Sequence, residues 1–330
     1  MRRPGLRAIN PGKYVFRSKS AKRESLIRAA WFAPEMFQTG IVRAHLFPLR
    51  PTSKSAWYAL LAVSFRVPLA GSFGEDVQRE FGATLHQGSR LKHRLSHRIT
   101  LWPDSPEVQS EPYVTFLEPL RLEPGRYTLT AVLADPEDAD PHAAKVVIEL
   151  PEVPRKELFL VGPILGRPAG PNLVVQGRGL AGRQEIGSES TFEPLLIQQL
   201  DDPADLVSLT QACFVGSKKG AKKRRHRSVS ISRSLQEAGG ESVGELEPVA
   251  LSLEDFHVVH CQNLVDVIPG ASLRDGEYVF QAQLQTERDG AGAESDVRFA
   301  VASSSGAIDR AIDDVEGAPP HGSTDRTIND

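Results

Sequence analysis

The feature that most constrains the fold of this chain is an internal repeat. Five residues recur 151 positions later in the same order: Leu122, Gly125, Tyr127, Ala131 and Leu133 correspond to Leu273, Gly276, Tyr278, Ala282 and Leu284. The correspondence continues without a gap, with Val146 and Ile148 matching Val297 and Phe299. A glycine permits a turn, and alternate residues after it face one side of a strand. The repeat therefore predicts two related modules that each end in the same hairpin.

The apolar segments have the period of antiparallel strands. Val42, Ala44 and Leu46 alternate with polar or charged residues, as half-buried strands do. The 24 prolines and 27 glycines divide the chain into short apolar segments, which favours strands over long helices. We predict a mainly β protein with two tandem Ig-like antiparallel β-sandwich modules. A short N-terminal helix is expected within residues 21–37, ending near Pro34.

Composition along the chain gives the predicted domain limits. Residues 1–37 are a linker with the short helix, residues 38–154 form the first sandwich, and residues 155–303 form the second. A polar, basic insert is expected at residues 217–240 of the second sandwich. Residues 304–330 have little apolar content and are expected to be a disordered tail.

Charge is distributed asymmetrically. The first 101 residues contain 18 Lys or Arg and 5 Asp or Glu, whereas the rest contain 21 and 37. The basic part could bind an acidic partner or face the acidic remainder of its own chain. Because its basic residues are scattered along strand-like segments, the second interpretation is favoured.

The densest basic segment lies within the predicted insert. Residues 217–234 contain eight Lys or Arg and no acid. The candidate contacts are Lys218, Lys219, Lys222, Lys223, Arg224, Arg225 and Arg227. Nucleic-acid association through residues 218–233 is therefore an alternative function, but an exposed, solvated insertion between strands is the favoured interpretation of the segment. The segment has no aromatic residue to stack on bases, which argues against single-strand recognition.

The sequence contains no recognisable catalytic motif. Gly-x-Ser-x-Gly and Cys-x-x-Cys are absent, and Gly177–Gly182 lacks the Lys-Ser/Thr continuation of a phosphate-binding loop. His257 and His260 are three residues apart, a spacing that places them on opposite faces of a strand rather than at one metal. We predict that the chain is not an enzyme and has no cofactor and no metal site.

Cys213 and Cys261 are the only cysteines. Both lie in apolar strand-like segments of the second module. In an oxidising compartment they could form a disulfide across the insert, and in a reducing compartment they would be two small buried residues. The sequence cannot fix the distance between them, so both alternatives stay open.

Several segments resemble a known family. RRPGLRAINPGKYVF, LEPGRYTLTAVLADP, LPEVPRKELFLVGPIL and FEPLLIQQLDDPADLVSLTQACFV are similar to the acidobacterial von Willebrand factor A-related, or Ig-like VWFA, proteins. In that family β-sandwich segments follow a metal-binding A domain. The resemblance implies that residues 1–37 are a linker or remnant of such a domain. The Asp-x-Ser-x-Ser metal loop is absent here, so metal binding is not carried over.

The resemblance also bears on location. Family members are usually exported, which implies an exported or periplasmic protein in which Cys213 and Cys261 are bonded. No signal peptide follows Met1, so the chain is expected to be cytoplasmic if Met1 is the true start. No apolar run is long enough to predict a membrane span. The predicted function is a non-catalytic interaction or scaffolding module with a protein or glycan partner that the sequence does not identify.

Overall fold

The computed structural model describes residues 19–53, 55–66, 77–101, 113–134, 141–154, 158–168, 173–175, 192–196, 199–200, 205–216, 228–252, 259–286 and 292–302. These residues form helix α1 (Lys19–Phe32), 3₁₀ helices at Pro34–Phe37 and Gly270–Ser272, and strands β1 to β17. The first strands are β1 (Val42–Ser53), β2 (Ala56–Arg66), β3 (Val77–Gln87), β4 (Arg90–Leu101), β5 (Tyr113–Leu122), β6 (Gly125–Ala134) and β7 (His142–Leu150). The later strands are β8 (Leu158–Pro168), β9 (Leu173–Val175), β10 (Phe192–Pro194), β11 (Gln199–Leu200), β12 (Leu206–Val215), β13 (Ser228–Glu237), β14 (Ser242–Ser252), β15 (Val259–Ile268), β16 (Gly276–Thr286) and β17 (Gly292–Val301).

The described strands form four sheets. Sheet A has the order β1-β2-β5-β9, sheet B β4-β3-β6-β7, sheet C β10-β8-β12-β15, and sheet D β11-β17-β16-β13-β14. The long strands whose register is known pair antiparallel, whereas the short strands β9 and β11 pair parallel to β5 and β17. The order β1-β2-β5 recurs as β8-β12-β15, and β4-β3-β6-β7 recurs as β14-β13-β16-β17. This duplication confirms the predicted mainly β, Ig-like fold class.

The repeat predicted from sequence lies in equivalent strands. Tyr127 is the third residue of β6 and Tyr278 is the third residue of β16, and both are buried. The Tyr278 hydroxyl accepts a hydrogen bond from the backbone N–H of Arg274 at 2.7 Å and donates one to the Arg274 carbonyl at 2.9 Å. This is the tyrosine corner of Ig-like sandwiches, which fixes the chain where it enters the strand.

The pairing register of the strands shows that a second hairpin is also repeated in the two halves. Ala83 of β3 lies opposite Ala131 of β6, and Arg233 of β13 lies opposite Ala282 of β16. Because Ala131 and Ala282 are matched by the sequence repeat, β3 and β13 are equivalent strands. Hairpins β3–β4 and β13–β14 therefore occupy the same place in the two halves.

The structure corrects the predicted limits of the insert, residues 217–240. Residues 228–240 were assigned to a polar segment, but Ser228–Glu237 is β13, which pairs with both β14 and β16. Its buried residues alternate along the strand: Val229, Ile231, Arg233 and Leu235. The basic residues before it obscured this period-two pattern. Residues 217–227 lie outside the described residues, as do residues 1–18 and 303–330.

The helix was predicted correctly. α1 ends at Phe32, shortly before Pro34, whose preceding residue is disfavoured in a helical conformation. Ala30 and Trp31 of the helix pack with Val132 and Ala143 of sheet B. A Cβ atom on Gly82 would lie 3.0 Å from the Trp31 ring, so the helix is closely seated on β3.

Contact density divides the chain into two compact units. The first comprises Met1–Ala44, Val63–Val114 and Arg126–Ile148, and the second comprises His45–Ala62, Thr115–Gly125 and Glu149–Asp330. This division does not follow the predicted limits at residues 154 and 155. The reason is that the parts of β1, β2 and β5 within residues 45–62 and 115–125 share one core with β8, β10 and β12. Its buried side chains are Leu49, Leu60, Ala62, Leu117, Ile164, Phe192 and Leu209.

Each unit has its own buried aromatic residues. In the first, the Phe65 and Phe81 rings lie 5.6 Å apart, which joins β2 to β3. In the second, Tyr278 and Phe299 stack at 5.4 Å within a cluster that also contains Leu206 and Ile268 of sheet C. Sheets C and D therefore pack face to face through alternating apolar side chains.

Candidate binding groove and surrounding polar groups

The two cysteines form a disulfide bond. Cys213 of β12 and Cys261 of β15 lie directly opposite each other in sheet C, with their Cα atoms 4.1 Å apart. The disulfide joins neighbouring strands of one sheet. Of the two alternatives left open by the sequence, the structure has the bonded one, with Cys213 fully buried and Cys261 partly buried.

The other residues singled out from sequence do not form one site. The seven basic candidates from Lys218 to Arg227 lie outside the described residues, as does His257. His260 belongs to strand β15. Among the residues that the structure describes, no group of three or more His, Cys, Asp or Glu side chains is placed to hold a metal ion.

Arg233, the last basic residue of the predicted insert, is an interior residue. Its Nε lies 3.0 Å from Oδ2 of Asp266, its Nη2 lies 3.1 Å from Oδ1, and its Nη1 donates to the Ile231 carbonyl at 3.0 Å. The two side chains are only 6% and 9% exposed. This paired, two-bond geometry satisfies a buried guanidinium and joins β13 of sheet D to β15 of sheet C. Arg233 is therefore not placed to contact an external polyanion.

A second buried ion pair lies in the second compact unit. Glu193 of β10 is 4% exposed, and its Oε2 lies 3.1 Å from both Nε and Nη2 of Arg167 on β8. Its Oε1 accepts a hydrogen bond from the buried Thr115 hydroxyl. A buried carboxylate is tolerated when it is paired and hydrogen-bonded, as this one is. The arrangement links β5, β8 and β10.

A groove of about 650 Å³ lies in the second compact unit. Its walls come from β1, β2, β8 and β17. The lining residues are His45, Phe47, Pro48, Trp57, Pro151, residues 160–165, Leu195, Leu196 and residues 295–299. A volume of this size with a mainly apolar lining and a few polar groups is typical of ligand-binding sites.

Aromatic residues fix one wall of the groove. Trp57 of β2 is 2% exposed, its Nε1–H donates to the Pro151 carbonyl at 2.8 Å, and its ring meets Phe159 edge-on at 6.1 Å. His45 and Phe47 are two residues apart on β1, so their side chains share a face, and their ring centroids are 4.4 Å apart. Burial lowers the pKa of His45 below its ordinary value, which favours the neutral imidazole.

Strand β8 bends next to the groove. Gln211 and Leu209 of β12 pair with Val161 and Ile164, so two residues of β8, Gly162 and Pro163, lie opposite one residue of β12. Gly162 has a φ of +85°, and a Cβ atom there would lie 2.6 Å from the Leu209 carbonyl oxygen. Only glycine fits both constraints. The result is a β-bulge, a feature that redirects side chains at binding sites.

Strand β17 contributes polar groups to the groove. The Ser295 hydroxyl donates to the Gly162 carbonyl, which ties β17 to the bulge. Asp296 and Arg298 lie at the surface of β17, with Arg298 Nε 3.7 Å from Asp296 Oδ2 and the side chains 49% and 79% exposed. The groove therefore has an apolar interior and a rim that offers one charge of each sign.

Sequence reasoning did not find the groove. Its residues come from four strands that are distant along the chain, and most of them read simply as apolar core. One usable signal was present: Gly162–Pro163 interrupts an otherwise continuous strand pattern, and such a pair marks a bulge or a close backbone approach.

Comparisons with known proteins identify no family. No family model matches the chain, and no curated protein matches it. Solved structures to which the chain is similar include a glycosyl hydrolase family 2 member from Bacteroides cellulosilyticus, 8% identical, with a TM-score of 0.25 over 74% of this chain and 27% of that chain. A beta-glucuronidase from Parabacteroides merdae is 8% identical, with a TM-score of 0.23 over 78% of this chain and 30% of that chain.

The chain spans less than a third of the length of these two proteins. At such TM-scores the likeness carries no argument about fold or activity. In the described part of the chain, no helix is both long and apolar enough to cross a membrane.

Proposed function

We propose that this chain is a non-catalytic interaction or scaffolding module of the bacterial envelope or exterior, and that it binds an apolar segment of a protein partner in the groove. The observation that carries the proposal is the groove itself: about 650 Å³, apolar inside and charged at the rim. Protein-binding surfaces commonly combine an apolar centre with a polar edge.

The rest of the described site supports a binding role. Glu193 and Asp266 are buried carboxylates, the kind of group that general acid–base catalysis uses. Each of them forms an ion pair with an arginine. The Cys213–Cys261 disulfide suits an oxidising compartment, where such bonds persist. The resemblance to exported VWFA-related proteins points to the same compartment.

A peptide selection with matched variants tests the proposal. A displayed library of random peptides is selected on the wild-type protein, and each selected peptide is then assayed against Leu196→Arg and Leu91→Arg. Leu196 is a half-buried residue of the groove, whereas Leu91 is an exposed apolar residue of β4 and serves as the control. Both substitutions place the same charge on the protein.

We expect peptides with apolar centres that lose binding to Leu196→Arg and keep it with Leu91→Arg. Circular dichroism spectra of both variants must match the wild type, so that lost binding reports the groove rather than unfolding. If no selected peptide distinguishes the two variants, the groove is not the binding site.

A further inference from the structure

Two equivalent edge strands carry opposite charge. β4 ends the described strand order of sheet B, and β14 ends that of sheet D. The β4 edge, defined here by Arg90 and Arg94, is basic. The β14 edge, defined by Glu245 and Glu247, is acidic, and the end of β13 and the turn after it add Glu237 and Glu241. Because β3–β4 and β13–β14 are equivalent hairpins, the two halves of the repeat present opposite charges from the same structural position.

These charges are at the surface. Arg90 and Arg94 are exposed, and so are Glu245 and Glu247. Each edge strand has its described ladder partner on one side only, β3 for β4 and β13 for β14. An edge of this kind presents backbone groups and side chains that a further strand can meet.

Charge decides which edges can pair. Two β4 edges would bring arginines against arginines, and two β14 edges would bring glutamates against glutamates, both of which are repulsive. A β4 edge beside a β14 edge places opposite charges together. The β14 edge also contains Pro248 at a register shift, so a continuous backbone ladder is interrupted and side-chain charge must supply much of the attraction.

We propose that the β4 edge of one copy of this chain binds the β14 edge of a second copy. The contact is heterologous, because the two surfaces differ. Each copy in a pair keeps one unused edge, so further copies add in the same direction and produce an open chain or a closed ring. This self-association is separate from the groove, and either proposal can fail while the other holds.

Sedimentation velocity over a range of protein and salt concentrations tests the proposal. The wild type is expected to assemble at low ionic strength and to dissociate as salt rises to about 0.5 M, because exposed charges are screened there. Arg90→Glu/Arg94→Glu and Glu245→Lys/Glu247→Lys are each expected to weaken self-association at least tenfold, since attraction becomes repulsion.

Mixing the two edge variants gives the decisive experiment. The first variant retains a native β14 edge and the second retains a native β4 edge, so the mixture is expected to form a complex although neither variant assembles alone. The controls are Arg121→Glu/Arg126→Glu and Glu149→Lys/Glu294→Lys, which change the net charge equally at exposed positions away from β4, β14 and the turn before β14.

Three results would overturn the proposal. The first is a wild type that stays monomeric at low salt. The second is a pair of controls that lose assembly as completely as the edge variants do. The third is salt-sensitive assembly that survives both edge reversals, which would assign the contact to another charged segment of the chain.

Discussion

The buried Arg233–Asp266 pair gives the sharpest stability prediction. Asp266→Leu removes the carboxylate and leaves a guanidinium that is 6% exposed without its counter-charge. Removing one member of a buried ion pair costs about 3–5 kcal/mol, mainly because the remaining charge is unpaired. Arg233→Met is expected to cost less than Asp266→Leu, since the surviving carboxylate is 9% exposed and can recruit water more easily.

The double variant Arg233→Met/Asp266→Leu should recover most of the loss. Replacing a whole buried pair with apolar residues of similar volume is often neutral or stabilising. The equivalent position in the first half of the repeat is Ala83, so this strand position is compatible with an apolar side chain. The expected coupling between the two substitutions is therefore large, about 3 kcal/mol or more.

Urea unfolding of the four proteins measures this coupling. Because two compact units need not unfold in one step, the transition of the second unit is followed through Trp57 fluorescence in a background where Trp31 and Trp102 are replaced by phenylalanine. The reasoning is refuted if Asp266→Leu costs less than about 1 kcal/mol, or if the double variant is as unstable as the sum of the single variants.

Three further stability effects follow from the structure. Replacing both disulfide cysteines with alanine should destabilise the second unit by up to about 4 kcal/mol, because the bond closes a separation of 48 residues; urea unfolding with intact and reduced protein checks this value. Gly162→Ala should cost at least about 1–3 kcal/mol from its positive φ alone, whereas Gly244→Ala, which meets no atom within 4 Å, should cost far less in the same assay. Tyr278→Phe removes the two hydrogen bonds of the corner and should lower the unfolding free energy by about 1–2 kcal/mol, with Tyr58→Phe on the half-buried face of β2 as a control.

Much of the fold follows from local pattern. Tyr127 and Tyr278 could be matched from sequence, because a glycine, an aromatic residue and alternating apolar positions specify a turn and a strand without long-range information. Strand β13 was missed for the opposite reason. Its core includes Arg233, and a charged residue is assigned to the interior only once its partner Asp266, 33 positions away, is known.

The site was harder to predict than the fold. The groove depends on how β1 and β2 meet β8 and β17, and single-sequence patterns do not encode which strands meet. The cysteine pair shows the same limit: two candidates were evident, but the bond required the register that places Cys213 opposite Cys261. The charge asymmetry was visible as a count, whereas its placement on two equivalent edge strands required the sheet order.

Backbone amide hydrogen exchange, with and without a groove-dependent selected peptide, tests the binding account most directly. Exchange reports local opening, so a bound ligand slows it where the ligand contacts and stabilises the backbone. The account predicts slower exchange at residues 45–48, 160–165 and 295–299, which line the groove. Protection confined to β4 or β14, or no change at the groove while the peptide is bound, would contradict it.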